Sequence, residues 1–183
     1  MYPKTIFATF AAVASIFPVA LGAGTVIIEN QCADDVYLWS TAEKASEMKT
    51  FRSGEKYTEQ YRLNQNGGGI SIKMSLDKSM KDISQVEYTL DGQKVWYDLS
   101  NIDGYPFKDG GVSIAPSDSS CPKVYCAAGD AKCKEAYNKS DDNDATKACA
   151  STADLHVQLC AEKKGAKLKQ KSFIPRHPHA RPE

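Results

Sequence analysis

Two carboxylates flank a turn in this chain at a spacing that can do acid–base chemistry. Asp91-Gly92 separates two runs of alternating character, Val86–Leu90 and Gln93–Leu99. Asp-Gly is a favoured type I′ pair, so the runs predict a tight hairpin with a two-residue loop. In that register Glu87 lies opposite Trp96, and Asp98 lies two residues further along the same face. The acids are then diagonal neighbours, about 7–8 Å apart at the backbone. Carboxylates about 6.5–9.5 Å apart suit inverting glycoside hydrolysis, where one acid protonates the leaving oxygen and the other activates water. A slip of one residue would put them on opposite faces and remove that chemistry. The same residue types also serve structure: Asp103, before Gly104, is a natural turn residue, and Asp98 can accept from backbone amides nearby.

Other chemistries find no support. A Ser-His-Asp triad would need His156, the one histidine before the C-terminal tail. No phosphate loop or dinucleotide fingerprint occurs. Asp141-Asp142-Asn143-Asp144 lacks the glycine and terminal glutamate of an EF-hand and reads as a solvated acidic loop. There is no Cys-x-x-Cys and no histidine pair beside the cysteines, so neither a metal nor a cofactor is expected.

The elements that must position the acids follow from length and pattern. The 183 residues suit one ordinary domain with tails. Basic and acidic residues balance at 23 each, but unevenly: residues 1–23 hold one basic residue and no acid, and residues 161–183 hold seven Lys or Arg against two Glu. The segment between is acidic, with 15 basic against 21 acidic residues, which excludes a basic nucleic-acid binder. Lys4, an apolar stretch from Ile6 to Phe17, Pro18 and then small residues make 1–23 a secretory signal peptide, too short and interrupted for a membrane span. Six cysteines in the mature part of a secreted chain predict three disulfides, and spacing alone leaves 15 connectivities open.

Short period-two runs recur at Thr25–Asn30, Val36–Ser40, Tyr57–Leu63, Ile70–Leu76, Val86–Leu90 and Lys94–Leu99. Leu155, Val157 and Leu159 alternate in a last strand. Turn clusters such as Asn66-Gly67-Gly68-Gly69 separate them, which predicts an all-β sandwich or barrel. The stretch 120–150 reads as a disulfide-held loop region outside the sheet, with a short helix over Lys132–Lys139 and an N-glycosylation sequon at Asn138. From 161 to 183 the chain is a basic tail without periodicity, read as disordered, with Lys163-Lys164 as a processing site.

Several motifs fall in one order. Asn30-Gln31-Cys32 opens onto Val36-Tyr37-Leu38-Trp39, and Ser53-Gly54-Glu55-Lys56-Tyr57 follows. Tyr97-Asp98-Leu99-Ser100 then leads into Ile102-Asp103-Gly104-Tyr105. Cys121 and Cys126 are separated by four residues, and a closing strand ends at Cys160. In this order they resemble the thaumatin-like proteins over most of residues 25–160. The loop-rich additional domain of the plant members is missing, and Asp77–Ile83 replaces the cysteine-rich segment that follows their Gly-Gly strand. The compact version is similar to the fungal family named after the Blastomyces yeast-phase-specific protein.

The resemblance implies a thaumatin-like antiparallel β-sandwich over 24–160 and the pairs Cys32–Cys160, Cys121–Cys149 and Cys126–Cys133. Closing the longest loop contributes on the order of 4 kcal/mol in the chain-entropy account. It also implies a cleft lined by Glu87, Asp98 and Asp103, with Lys73 where the family carries an arginine. Tyr105 joins these as a binding residue. A weak β-1,3-glucanase would use Glu87 as general acid and Asp98 or Asp103 as base. Lys73 lacks the bidentate fork of arginine, and the missing domain removes one wall of the cleft, so the leading expectation is a secreted, non-catalytic monomer. Its expected partners are β-glucan or another cell-wall polysaccharide, or a host protein, in an effector or virulence role. A membrane-acting role would depend on the basic tail. Trp39, Tyr57, Tyr61, Trp96 and Tyr105 are the candidate stacking aromatics, of which at least half are expected in the core.

Overall fold

A computed structural model describes residues 22–162; the expected signal peptide, apart from Gly22 and Ala23, and the tail from Lys163 lie outside the described residues. Strand by strand, the alternation read from the sequence is an alternation of burial. In β1 (Thr25–Asn30) Val26 and Ile28 are fully buried, and in β11 (Leu155–Leu159) so are Leu155 and Leu159. The other strands are β2 (Val36–Thr41), β3 (Lys49–Phe51), β4 (Lys56–Gln60), β5 (Ile70–Ser75), β6 (Ser84–Asp91), β7 (Lys94–Ser100), β8 (Val112–Pro116), β9 (Val124–Cys126) and β10 (Lys147–Ala150). They form a five-stranded sheet in the order β4-β1-β11-β8-β9 and a six-stranded sheet in the order β10-β7-β6-β5-β2-β3. The inward residues of both sheets share one core, including Ile72, Val86, Tyr97 and Leu99 from the larger sheet. This is a sandwich in which each sheet has one apolar and one solvent-facing side.

One pairing departs from the antiparallel pattern: β1 and β11 run parallel, with Asn30 opposite Leu159. Parallel neighbours end at the same edge, which brings Cys32 and Cys160 together with a Cα–Cα distance of 5.0 Å. Cys121 joins Cys149 and Cys126 joins Cys133. Gly110 makes room for the first bridge, since a Cβ there would lie 2.6 Å from the Cys160 Cβ.

The segment 120–150 departs from the expected loop. It supplies β9 and β10, each extending the rim of one sheet. With three and four residues, these strands are too short for periodicity to register. Lys132–Lys139 forms turns rather than a helix, because the Cys126–Cys133 bridge ties down its start and the Asn138 side chain takes up carbonyls that a helix would use. The one helical turn in this segment is a 3₁₀ turn at Asn143–Ala145.

At the opposite rim an inward carboxylate joins the two sheets. Glu59 of β4 accepts hydrogen bonds from Tyr57 Oη at 2.8 Å and from Tyr88 Oη of β6 at 2.7 Å. Arg62 Nε lies 3.6 Å from the same carboxylate, and its Nη2 donates to Ser40 Oγ. An inward charge on an edge strand also discourages pairing with another chain.

Candidate functional site

Because Val95, Tyr97 and Leu99 of β7 point into the core, Trp96, Asp98 and Ser100 point out of it. The same alternation turns Gln85, Glu87 and Thr89 of β6 and Ser71 and Lys73 of β5 outward. The hairpin that sets their register differs from the expected one. Asp91 pairs with Lys94, so the loop residues are Gly92 and Gln93. Gly92 has a φ of 59° and Gln93 does not enter the positive region, the signature of a type II′ turn with glycine first. Moving the turn by one residue moves the pairing by two, so every side chain keeps its face. Glu87 now stands directly opposite Asp98, and Trp96 opposite Thr89.

The change alters the chemistry. Directly opposed side chains have Cβ atoms about 4.5–5.5 Å apart. The diagonal spacing that left room for an attacking water between two carboxylates is gone. One cross-strand row now reads Asp98, Glu87, Ser71, Thr41, and its neighbour reads Ser100, Gln85, Lys73, Trp39. The first row crosses an open cleft of about 340 Å³ whose lining also includes Lys73, Gln85 and Thr89.

Within the cleft the charges are unevenly satisfied. Lys73 Nζ donates to Gln85 Oε1 at 2.7 Å, Ser71 Oγ donates to the same oxygen, and Gln85 Nε2 donates to Asp103 Oδ2 at 3.2 Å. The amide thus relays between cation and anion. Gln85 was not among the expected site residues, although its place two residues before Glu87 on one strand face was a signal for it. The acid pair has no such partner: among the described residues neither Glu87 nor Asp98 is in an ion pair. Asp98 Oδ1 is buried and accepts no hydrogen bond. Burial first, and the facing Glu87 second, push the Asp98 carboxyl up to about 7.

Of the expected site residues, Lys73, Glu87, Asp98 and Asp103 come together, the last through Gln85. Tyr105 does not line the cleft; it is 9% exposed and packs in the core. The chain turns inward at Gly104, whose φ is 135° and where a Cβ would fall 2.1 Å from Asp82 Oδ1. Trp39, Tyr57 and Tyr61 are buried as well, which leaves Trp96, 40% exposed, as the open aromatic of the five. Tyr125 of β9, 52% exposed, was not among them.

Asn138 has both amide hydrogens engaged: Nδ2 donates to the carbonyls of Cys133 at 2.8 Å and Ala136 at 3.0 Å. A glycan would replace one of those hydrogens. We expect the secreted protein to carry no N-glycan at Asn138, so that an endoglycosidase leaves its intact mass unchanged. A mass loss of glycan size would refute this. The one group of potential metal ligands among the described residues, Asp118 with Cys121 and Cys149, has both sulfurs in a disulfide.

The family profile described as Blastomyces yeast-phase-specific protein (Bys1) matches residues 13–161. The chain belongs to that family. It is 52% identical, over 195 aligned positions spanning the whole of both chains, to the antigenic thaumatin-like protein of Arthroderma benhamiae. It is 40% identical over 139 positions to the secreted thaumatin-like protein calA of Emericella nidulans, covering 74% of this chain and 81% of that one. Among solved structures it resembles the protein elicitor MoHrip2 from Magnaporthe oryzae, with a TM-score of 0.65 and 26% identity over 76% of this chain and all of that one. The thaumatin-like xylanase inhibitor TLXI shares the fold, with a TM-score of 0.52 and 13% identity over 74% of this chain and 98% of that one. This Bys1-family member is thus a fungal, secreted, thaumatin-like β-sandwich. No helix among the described residues is long and apolar enough to cross a membrane.

Proposed function

We propose that the protein is a non-catalytic extracellular glycan-binding protein whose ligand lies across the outer face of the six-stranded sheet. One observation carries the reading. Four buried side-chain atoms among the described residues lack a hydrogen-bond partner, and two of them, Asp98 Oδ1 and Thr41 Oγ1, terminate the same cross-strand row of the cleft. Buried polar groups are otherwise paired almost without exception in folded proteins. Sugar hydroxyls can donate to the Glu87 carboxylate, which lines the cleft between these two ends of the row. The direct opposition of Glu87 and Asp98 removes the inverting geometry but matches the closer spacing of a retaining pair, so sugar release has to be scored beside binding.

The test is incubation of the mature protein with insoluble β-1,3-glucan, chitin and whole wall material, scoring depletion from solution and released sugar together. Depletion without release is expected, and Glu87→Gln should lower it about tenfold, the effect of one charge-assisted hydrogen bond. Sugar release that disappears in Glu87→Gln would replace this reading with the glucanase. No depletion by any polysaccharide would remove glycans and leave a host protein as the partner.

A further inference from the structure

We infer that the sugar this cleft selects carries a primary ammonium group, an amino sugar of the glucosamine type rather than a neutral glucan. The inference rests on the glycan reading of the cleft and specifies its ligand.

The first ground is charge complementarity. Glu87 and Asp98 face each other across neighbouring strands, an arrangement that costs stability when both carry charge and no cation intervenes. Lys73 lines the same cleft, but its ammonium is held by Gln85 at 2.7 Å, and Gln85 passes that link to Asp103 rather than to the pair. The cleft therefore keeps two acceptor groups without a cation of their own. A neutral hydroxyl can donate to one of them; an ammonium, with three donors and a full charge, satisfies both.

The second ground is the aromatic ring beside the pair. Trp96 precedes Asp98 by two residues on the same strand face, about 7 Å along β7. Its cross-strand neighbours are Thr89 and Ala148, both small, so the ring is 40% exposed. Lys94 Nζ already lies 5.6 Å from the ring centroid, which shows the ring taking an ammonium on its face. A pyranose stacked on Trp96 places its substituents toward Asp98 and Glu87. A lysine side chain of a protein partner would supply the charge without the sugar face.

Two tryptophans report binding differently, since Trp39 is buried and Trp96 is open. The full secreted protein should be titrated by tryptophan fluorescence and calorimetry, at pH about 7, where Asp98 ionises, with glucosamine oligomers. Parallel titrations use N-acetylglucosamine oligomers, β-1,3-glucose oligomers and oligolysine of equal length. Glucosamine oligomers are expected to bind at least about tenfold more tightly than the other three. Glu87→Gln should erase that preference while leaving residual sugar binding, and Trp96→Ala should weaken binding of every sugar and abolish the fluorescence change. Melting curves of both surface variants separate loss of binding from loss of fold. Equal binding of glucosamine and acetylated or neutral oligomers would overturn the ammonium preference and leave the glycan reading standing. Equal binding of oligolysine would overturn the choice of a sugar. No binding of any oligomer would overturn both.

Discussion

Raising the pH from about 4 to about 8 destabilises the folded domain, and Asp98→Asn abolishes the Asp98 part of that fall. The Asp98 carboxyl ionises near 3.8 in the unfolded chain but is held up at about 7 in the folded one, by burial first and by Glu87 second. Between those values the folded state keeps a proton that the unfolded state has released, so stability falls as pH rises. Below the window both states are protonated and nothing is lost; above it both are ionised and the loss is complete. The difference corresponds to on the order of 4 kcal/mol. Asp77 and Asp118 act in the opposite sense, their carboxyls held low by Ser79 and Ser120 hydrogen bonds, and their contribution is lost only below the ordinary aspartate range. Urea midpoints of wild type and Asp98→Asn at both pH values isolate the effect: the variant should gain most at the higher pH. Parallel pH profiles for the two proteins would show that Asp98 is not the group responsible.

The second large effect belongs to the Cys32–Cys160 bridge, which closes a span of 128 residues. Replacing both cysteines by alanine should cost about 4–5 kcal/mol in the chain-entropy account, against roughly 2–3 for Cys126 and Cys133, which are seven apart. Denaturant midpoints of the two double variants give the order directly. If removing the short bridge costs as much as removing the long one, native-state packing rather than loop closure sets the value.

Seven strands (β1, β2, β4 to β7 and β11) were legible in the sequence, because period two sustained around β-branched or aromatic side chains fits a half-buried strand and little else; β8 also alternates, but it was not among the runs read, and neither was the three-residue β3. Thr25–Asn30 coincides with β1, and Val86–Leu90 falls inside a longer β6. β9 and β10 were not legible, since their place in the sheets depends on two disulfides that hold them there. The hairpin illustrates a finer limit. Asp-Gly and Gly-Gln both offer a glycine to the turn, and local preference alone could not decide which peptide occupies its centre. The consequence was confined to which residues face each other, because a shifted turn cannot exchange the faces of the sheet. Tyr105 was misplaced for a different reason: one glycine at φ 135° redirects the chain after Asp103, and linear spacing does not reveal it.

The parallel pairing of the first and last strands has a mechanical meaning. Gly24 enters at one pole of the sandwich, while Ala161 and Glu162 are anchored at the other, through Gly111 and Gly110. Tension between the two ends loads the β1–β11 ladder in shear, with its bonds strained together rather than unzipped in turn. The bridge from Cys32 to Cys160 then carries the force covalently, so the chain between them feels none of it. Load applied at the two ends would act on β1 and then pass through that bridge, leaving the cleft strands β2, β5, β6 and β7 outside its path.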